Sequence, residues 1–457
     1  MLAKVRFIKR YKIVKLCEYG RHPKNQKYLC SVKKQKVQRD ISNRRKNVII
    51  LLLGTLIAIG PFSIDTYLPA FKQIAGDFGV ETSAIGLTLT TYFIGIGLGQ
   101  LAYGPLMDKY GRRKPLIVGL ALYMLMSILC GLAWNLWSLA FFRFFMALGG
   151  CAGMVASKAV VRDYFEKDKV ADVLSTLMLI MGVAPIIAPT VGGFIITAFH
   201  WEVVFFSLAV FAGLMLLNVI YVLPESAEPN AKTSLHPKRV AREYWSIYKN
   251  KDFFLFSTTR GFAIGALLAY VASAPFVFID YFEMGEDMFG YIFGGNAAGL
   301  ILGSQLNRLF LRRFTTFQIT YTIAILMAVL TCGITIYSLL VAPQFWVIYP
   351  GLFTMLFFIG FQNPNVTALS LQPFNLQAGS ASALVGAVSM IFGSIASTLV
   401  AQWLVDSIMP LLAIVTFCSI AGCIAVVYYK IEYGRGYAFA KAYYHHPHRI
   451  KQRREAA

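Results

Sequence analysis

GPLMDKYGRRK, residues 104–114, lies in a short polar turn between two long apolar runs, 83–107 and 115–134. Gly104 lets neighbouring helices approach closely, and Gly111 permits a tight turn. Asp108 is placed to pair with a basic group or a helix N-terminus. A basic membrane loop by itself explains Arg112, Arg113 and Lys114, but not Asp108 and both glycines at these positions.

Working outward, apolar runs of about twenty residues recur from Asn47 to Lys430, each long enough at about 1.5 Å per residue to cross about 30 Å of hydrocarbon. Twelve are expected: 47–71, 83–107, 115–134, 136–161, 171–198, 201–223, 253–280, 287–307, 316–340, 345–371, 379–405 and 408–430. A β-barrel is excluded, because its strands read as segments of about ten alternating residues and not as unbroken apolar runs. The chain of 457 residues is 57% hydrophobic and 14% charged, with a mean hydropathy of +0.60. That is too apolar for a soluble domain.

The formal net charge of +21 invites a nucleic-acid reading until the Lys and Arg residues are placed. Alternate loops, starting with residues 1–46, hold 39 of the 43, and the intervening loops hold only Lys72. Arg143, Lys158 and Arg260 fall inside apolar runs. The bias is a topology signal that puts both termini in the cytoplasm, where the excess charge faces anionic lipid. No soluble domain remains to bind nucleic acid. Seven cysteines are scattered without metal-ligand spacing, and the His-rich HHPHR (445–449) and His200 read as solvated, so no metal is expected.

The expected organisation is a basic cytoplasmic tail (1–46), a six-helix half (47–223), a polar cytoplasmic loop (224–252), a second six-helix half (253–430) and a basic tail (431–457). The first tail lacks the apolar core and cleavage site of a secretory signal; a start codon assigned too far upstream would also account for it. A faint repeat supports duplicated halves: Gly104 to Asp108 with Arg112-Arg113 is echoed by Gly303 to Asn307 with Arg312-Arg313, a shift of 199 residues.

A charge inside a membrane helix costs about 2.5–3.5 kcal/mol on insertion scales, so such residues are candidates for function. Asp65, in PFSIDTYLPAF, is flanked by Pro61 and Pro69 at i−4 and i+4, which places all three on one face of a continuous helix. Arg143 lies at a matching depth, about seven residues beyond Trp134 and Trp137, so the two are placed to meet. A carboxylate beside Arg holds its charge, whereas a desolvated unpaired one takes a proton near neutral pH; alternation between those settings exchanges a proton for a substrate. Arg260 reads either as a cavity residue or as a partner of a carbonyl. Lys158 is one turn from Arg162 and reads as a snorkelling side chain. Gln362, Asn363 and Asn365 around Pro364 suit a cavity wall or helix–helix glue equally.

In GVAPIIAPTVGG (182–193), Pro185 and Pro189 bend the helix while Gly192 and Gly193 allow close packing, a kinked seam suited to rocking. The loop 104–114 resembles the signature G-x-L-x-D-[RK]-x-G-R-[RK] of the major facilitator superfamily, and 182–193 is similar to its antiporter motif, with Ala188 where Gly is usual. Together with SIDTYLPAF (63–71), RFFMALGGCAGMV (143–155), VVRDYF (160–165), NRLFLRRF (307–314), GFQNPNVTAL (360–369) and AGSASALVGA (378–387), these look like the Bcr/CflA drug-resistance branch, over about 47–430.

The resemblance implies an all-α membrane protein of twelve transmembrane helices, inward- and outward-facing states, and proton-coupled export of chemically varied small compounds across the bacterial inner membrane. It assigns the proton-linked acid to Asp65, the fourth-helix arginine to Arg143, and a state-dependent latch between the halves to Gly104, Asp108, Gly111, Arg112 and Arg113. Tyr67 joins Arg260, Gln362, Asn363 and Asn365 as cavity candidates. Met146 stands where Gln is common, and Glu202 where many relatives have Arg. No cofactor is expected, no G-x-x-x-x-G-K-[ST] loop is present, and no convergent catalytic constellation suggests an enzyme. The expected partners are a small-molecule substrate, protons and the lipid bilayer, with a single chain as the working unit. The alternatives are a dedicated carrier of one metabolite or siderophore on the same frame, and a transport-dead sensor.

Overall fold

A computed structural model describes residues 43–165, 167–227, 229, 235–374, 377–403 and 407–445. The tails 1–42 and 446–457, most of HHPHR included, lie outside the described residues. The described residues from Val48 onward form one compact unit.

Every regular element among the described residues is helical: α1 (Asn43–Asp65), a 3-10 turn (Leu68–Ala70), α2 (Phe71–Phe78), α3 (Thr82–Tyr110), α4 (Arg113–Gly131), α5 (Leu136–Tyr164), α6 (Lys167–Ala198), α7 (Glu202–Tyr221), α8 (Pro237–Tyr248), α9 (Lys251–Pro275), a π-helical turn (Phe276–Tyr281), α10 (Glu286–Phe310), α11 (Thr316–Leu340), α12 (Phe345–Leu371), α13 (Ala378–Trp403) and α14 (Met409–His445). Among the described residues, eleven helical segments are long and apolar enough to cross a membrane. They match the expected runs except 287–307. That run is the 25-residue α10, whose glycines together with Asn296, Ser304, Gln305 and Asn307 dilute its apolar character.

The helices run between a basic end, with turns at 111–112 and 311–315 and with α8, and a charge-poor end, with turns at 79–81, 132–135, 199–201, 282–285 and 341–344. Side chains at the lipid-facing surface are apolar and exposed, Leu125, Phe194, Val210 and Leu339 among them. Apolar helices gain nothing hydrophobic by leaving lipid for one another, so close backbone approach has to hold them together. Between α10 and α12 this is reciprocal. A Cβ on Gly303 would overlap the Phe357 carbonyl, and one on Gly360 would overlap the Leu300 carbonyl.

Three boundaries differ from the sequence reading. α1 stops at Asp65 and the chain turns through Leu68–Ala70 before α2, so Pro69 is off the helix that carries Asp65. The polar stretch 224–252 contains a helix, α8, started by Pro237 at its first position. α14 continues to His445, well past the expected end at 430.

Candidate functional site

Asp65 and Arg143 are both buried, 5% and 0% exposed, but they do not pair. Arg143 reaches across from α5 so that its Nη1 donates to the Ser63 carbonyl at 2.8 Å. Its guanidinium lies 4.5 Å from the Tyr67 ring centre and 4.4 Å from that of Tyr92, and Nε and Nη2 have no hydrogen-bond partner. Residues 63 and 65 are about 200° apart on a helix turning 100° per residue, so an Arg engaged at Ser63 is turned away from the Asp65 side chain. The shared depth read from the sequence is real, since Arg143 bonds two residues before Asp65; the opposed faces prevent the pair. On the Asp65 side, a Cβ on Gly192 of α6 would overlap the Thr66 carbonyl, and the 3-10 turn touches α6, α9 and α10.

Tyr67, expected in a cavity, is 0% exposed. Its hydroxyl is 2.9 Å from Thr88 Oγ1, and its face shields Arg143. The Tyr123 hydroxyl lies 2.5 Å from Ser63 Oγ, while Met146, in the place of a polar residue, puts its sulfur 4.0 Å from Cys130. Arg143 therefore sits in a buried aromatic cage of Tyr67, Tyr92 and Phe205 with one hydrogen bond to the Ser63 carbonyl.

At the basic end, Arg112 Nη1 donates to Asp108 at 2.6 Å and its Nε to Asp163 at 3.1 Å. Burial works against the Arg112 charge, but the bonds to these two carboxylates outweigh it and raise its pKa above the usual value. Glu225 accepts the backbone N–H groups of Arg112 at 2.7 Å and Arg113 at 3.2 Å, capping the start of α4. Gly111 has φ +86°, a conformation that disfavours any other residue, and it packs under that carboxylate, which a side chain at 111 would displace. Arg113 reaches the Ile220 carbonyl. The charged latch residues form a network: among the described residues the hydrogen bonds of Asp108, Arg112 and Arg113 run to one another and to Asp163, Ile220 and Glu225, all ahead of α8.

Helix α8 makes the crossing instead. Tyr244 donates to the Leu101 carbonyl of α3 at 3.0 Å, and Glu243 accepts from Ser380 of α13 at 2.7 Å. Ile247 beneath them packs with Phe253, Ala381 and Val385. Burial first, then the Glu243 and Asp108 carboxylates, push the Tyr244 hydroxyl up to about 12.

Between α3, α5, α8 and α13 lies a cavity of about 350 Å³ that reaches the surface at the basic end. Its apolar wall includes Met107, Met154, Val155 and Ala383, and its charges are Asp108, Arg112, Lys158, Arg162, Asp163, Arg239 and Glu243. Arg260 stands just behind the wall, donating to Ser389 and to the Val385 carbonyl. Ser157 Oγ bonds the Leu53 carbonyl, whereas Arg143 bonds Ser63; from Leu53 to Ser63 is about 15 Å along α1. Cavity and Asp65 are thus at different depths.

The charge-poor end is closed by two seams. In one, Thr90 of α3 meets Ser397 of α13 at 2.7 Å. In the other, Gly290 and Gly294 of α10 back onto Thr190 and Ile186 of α6, on the helix that carries Pro185, Pro189 and Gly193. Asn365 and Asn307 exchange amide bonds at 2.8 and 3.3 Å, which makes Asn365 glue between α10 and α12. Gln362 is 3% exposed and the Asn363 side-chain oxygen is buried without a partner; none of the three lines the cavity. His200 lies 2.5 Å from Glu202 and 3.6 Å from Asp77, so carboxylates already face both its ring nitrogens.

The sequence reading singles out Gly104, Asp108 and Arg112 as latch residues and Lys158 as a snorkelling side chain, but does not show that they line one cavity with Arg239 and Glu243. Lys158 with Met154 and Arg162, at i−4 and i+4, marks one face of α5, and 237–248 has an amphipathic pattern; those two signals together would have found the wall.

A bundle of apolar helices with a charged cavity at one end and a buried carboxylate near the other defines the class of membrane carriers. The profile of the Major Facilitator Superfamily matches residues 51–397, and the chain belongs to that superfamily. It is 30% identical over 389 residues to a bicyclomycin resistance protein homolog of Haemophilus influenzae, covering 84% of this chain and 96% of that one. It is 25% identical over 381 residues to multidrug resistance protein D of Escherichia coli, covering 79% and 90%. These relatives agree with the Bcr/CflA resemblance carried by the motifs. Among solved structures, a D-xylose–proton symporter aligns with a TM-score of 0.66 at 14% identity, over 84% of this chain and 97% of that one; at that identity the likeness is one of fold. The protein is a multi-pass protein of the bacterial inner membrane.

Proposed function

We propose that the chain is a proton-coupled antiporter that exports small organic compounds from the cytoplasm by alternating access. In this reading α10 is the eighth of twelve spans, 47–223 and 253–430 are the two six-helix halves joined through 224–252, and both termini are cytoplasmic. The basic tails then face anionic lipid, and one chain suffices for transport. The relatives named for bicyclomycin and multidrug resistance support the substrate class.

The observation that carries the reading is the separation of two sites by about 15 Å along α1, cavity at the basic end and Asp65 buried at the closed end. A substrate enters the cavity from the cytoplasm while the α3–α13 and α6–α10 seams are shut. When the seams part and the cytoplasmic side closes, the substrate leaves outward and Asp65 meets external protons. A neutral Asp65 carboxyl then lets the seams close over it without burying an unpaired charge. The inward proton supplies the energy, about 2.3 kcal/mol for each 100 mV.

The test is proton release from the purified protein on adding a panel of drugs, wild type against Asp65→Asn, with matched thermal melts. Release from wild type alone is expected. Equal release from the Asn variant removes Asp65 from the exchange, and silence in both turns the reading toward a dedicated carrier of one metabolite.

A further inference from the structure

We propose that the cavity recognises amphiphilic organic anions, with Lys158 as the residue that holds the acidic group. This deepens the antiport reading and rests on it for the cavity's role as a substrate site.

The argument is one of unequal pairing. Three carboxylates line the cavity, and each is engaged: Asp108 and Asp163 with Arg112, Glu243 with Ser380. Among the described residues, Lys158, Arg162 and Arg239 line the same space, and their side chains form no ion pair or hydrogen bond. Lys158 is the innermost of them on α5, at the level of Leu53 through its neighbour Ser157, and half-buried. The cations that bear on it are Arg260 and Arg162. Arg260 is turned onto Ser389, and its Nε is buried without an acceptor.

Like charges held together in a partly desolvated site destabilise one another. A ligand anion placed between Lys158 and the mouth arginines relieves that repulsion, whereas a cation adds to it and a neutral compound leaves it unchanged. Around Lys158 the wall is soft and apolar, with Met154, Val155, Met107 and Ala383, and thioethers adapt to varied shapes. A volume of about 350 Å³ falls at the small end of the range for drug-sized sites. Arg162 and Arg239 at the exposed rim draw anions inward from solution.

The test uses the full chain in zwitterionic nanodiscs and three probes of one shape: 2-naphthoate, 2-naphthamide and 2-naphthamidine. Saturable naphthoate binding is expected, at least about tenfold tighter than either of the others. Lys158→Gln should weaken naphthoate about 10- to 100-fold and leave the amide unchanged, while Lys158→Arg stays within a few-fold of wild type. Should Lys158→Gln fail to fold, Ser382→Glu adds a carboxylate to the α13 wall of the same cavity and should weaken the anion selectively. No saturable naphthoate binding, an amide bound as tightly as the anion, or a folded Lys158→Gln with unchanged affinity overturns the proposal. These arms involve no proton exchange. If naphthoate binds through Lys158 but no compound releases protons, antiport fails and the anion site stands. If neutral drugs release protons through Asp65 while naphthoate does not bind, the anion site fails alone.

Discussion

Replacing Gly290 with Val should open the charge-poor end of the bundle. A Cβ at 290 falls 3.1 Å from Thr190 Cα and 3.2 Å from its backbone nitrogen, against about 3.5–4.0 Å for comfortable carbon contacts. The obstacle is the α6 backbone, so no rotamer change relieves it, and the γ-methyls of valine add to it. Overpacking of this kind costs about 1–3 kcal/mol. Because α6 and α10 part at this end in the proposed cycle, the cost falls on the closed state alone. That shifts the balance toward the externally open state by about 5- to 150-fold, at about 1.4 kcal/mol per tenfold. Spin labels at the exposed Leu132 and Leu340, measured by pulsed electron resonance, should show a longer-distance population in Gly290→Val. Gly76→Ala, with nothing within 4 Å of the new Cβ, serves as the control. A folded Gly290→Val with the wild-type distance distribution would refute the reasoning that this seam sets the closed state.

Two further outcomes follow from the basic end. Glu225→Ala removes the acceptor of two backbone N–H groups at the start of α4 and should cost about 1 kcal/mol; a small fall in Tm by scanning fluorimetry is expected, partly restored in Glu225→Gln, and an unchanged melt denies the cap its role. Tyr244→Phe deletes the bond to Leu101 and should loosen α8 by about 0.5–1.5 kcal/mol, seen as faster hydrogen exchange across 240–248. With the hydroxyl pushed up to about 12, above the ordinary tyrosine value, the donor form persists on the acid side. The wild-type to Phe difference should therefore be constant from pH 6 to 9, and a difference that fades within that window would contradict the assignment.

Asp65 and Arg143 show where sequence reasoning stops. Their depth followed from counting residues from the span ends, and the structure puts Arg143 at Ser63. Their pairing depended on which way each side chain turns. That is fixed by which carbonyl of α1 Arg143 engages and by the end of the helix at Asp65, neither of which residue spacing encodes. The same limit applies to Asp108: a pair with a basic residue was foreseeable, but the other carboxylates on its partner Arg112, Asp163 and Glu225, come from α5 and from the segment after α7.

Lys158 makes the point in the other direction. Read along the chain it is a lysine near a helix end, and snorkelling is the ordinary fate of such a residue. Only the convergence of α3, α5, α8 and α13 turns it into a cavity cation.

By itself the sequence determined the membrane class, the positions of the apolar helices, the charge asymmetry between the ends and the superfamily. The first three are properties of composition and local period, which the bilayer enforces residue by residue, and the superfamily was legible in its resemblance at the motifs 104–114 and 182–193. The tertiary structure decided which polar residues meet: Arg143 with Ser63, Arg112 with Asp163, Tyr244 with Leu101, and Lys158 with no carboxylate at all. In an apolar solvent many helix arrangements bury the same residues equally well. Close glycine contacts and a few hydrogen bonds then choose among them, and these are matched between helices far apart in the chain.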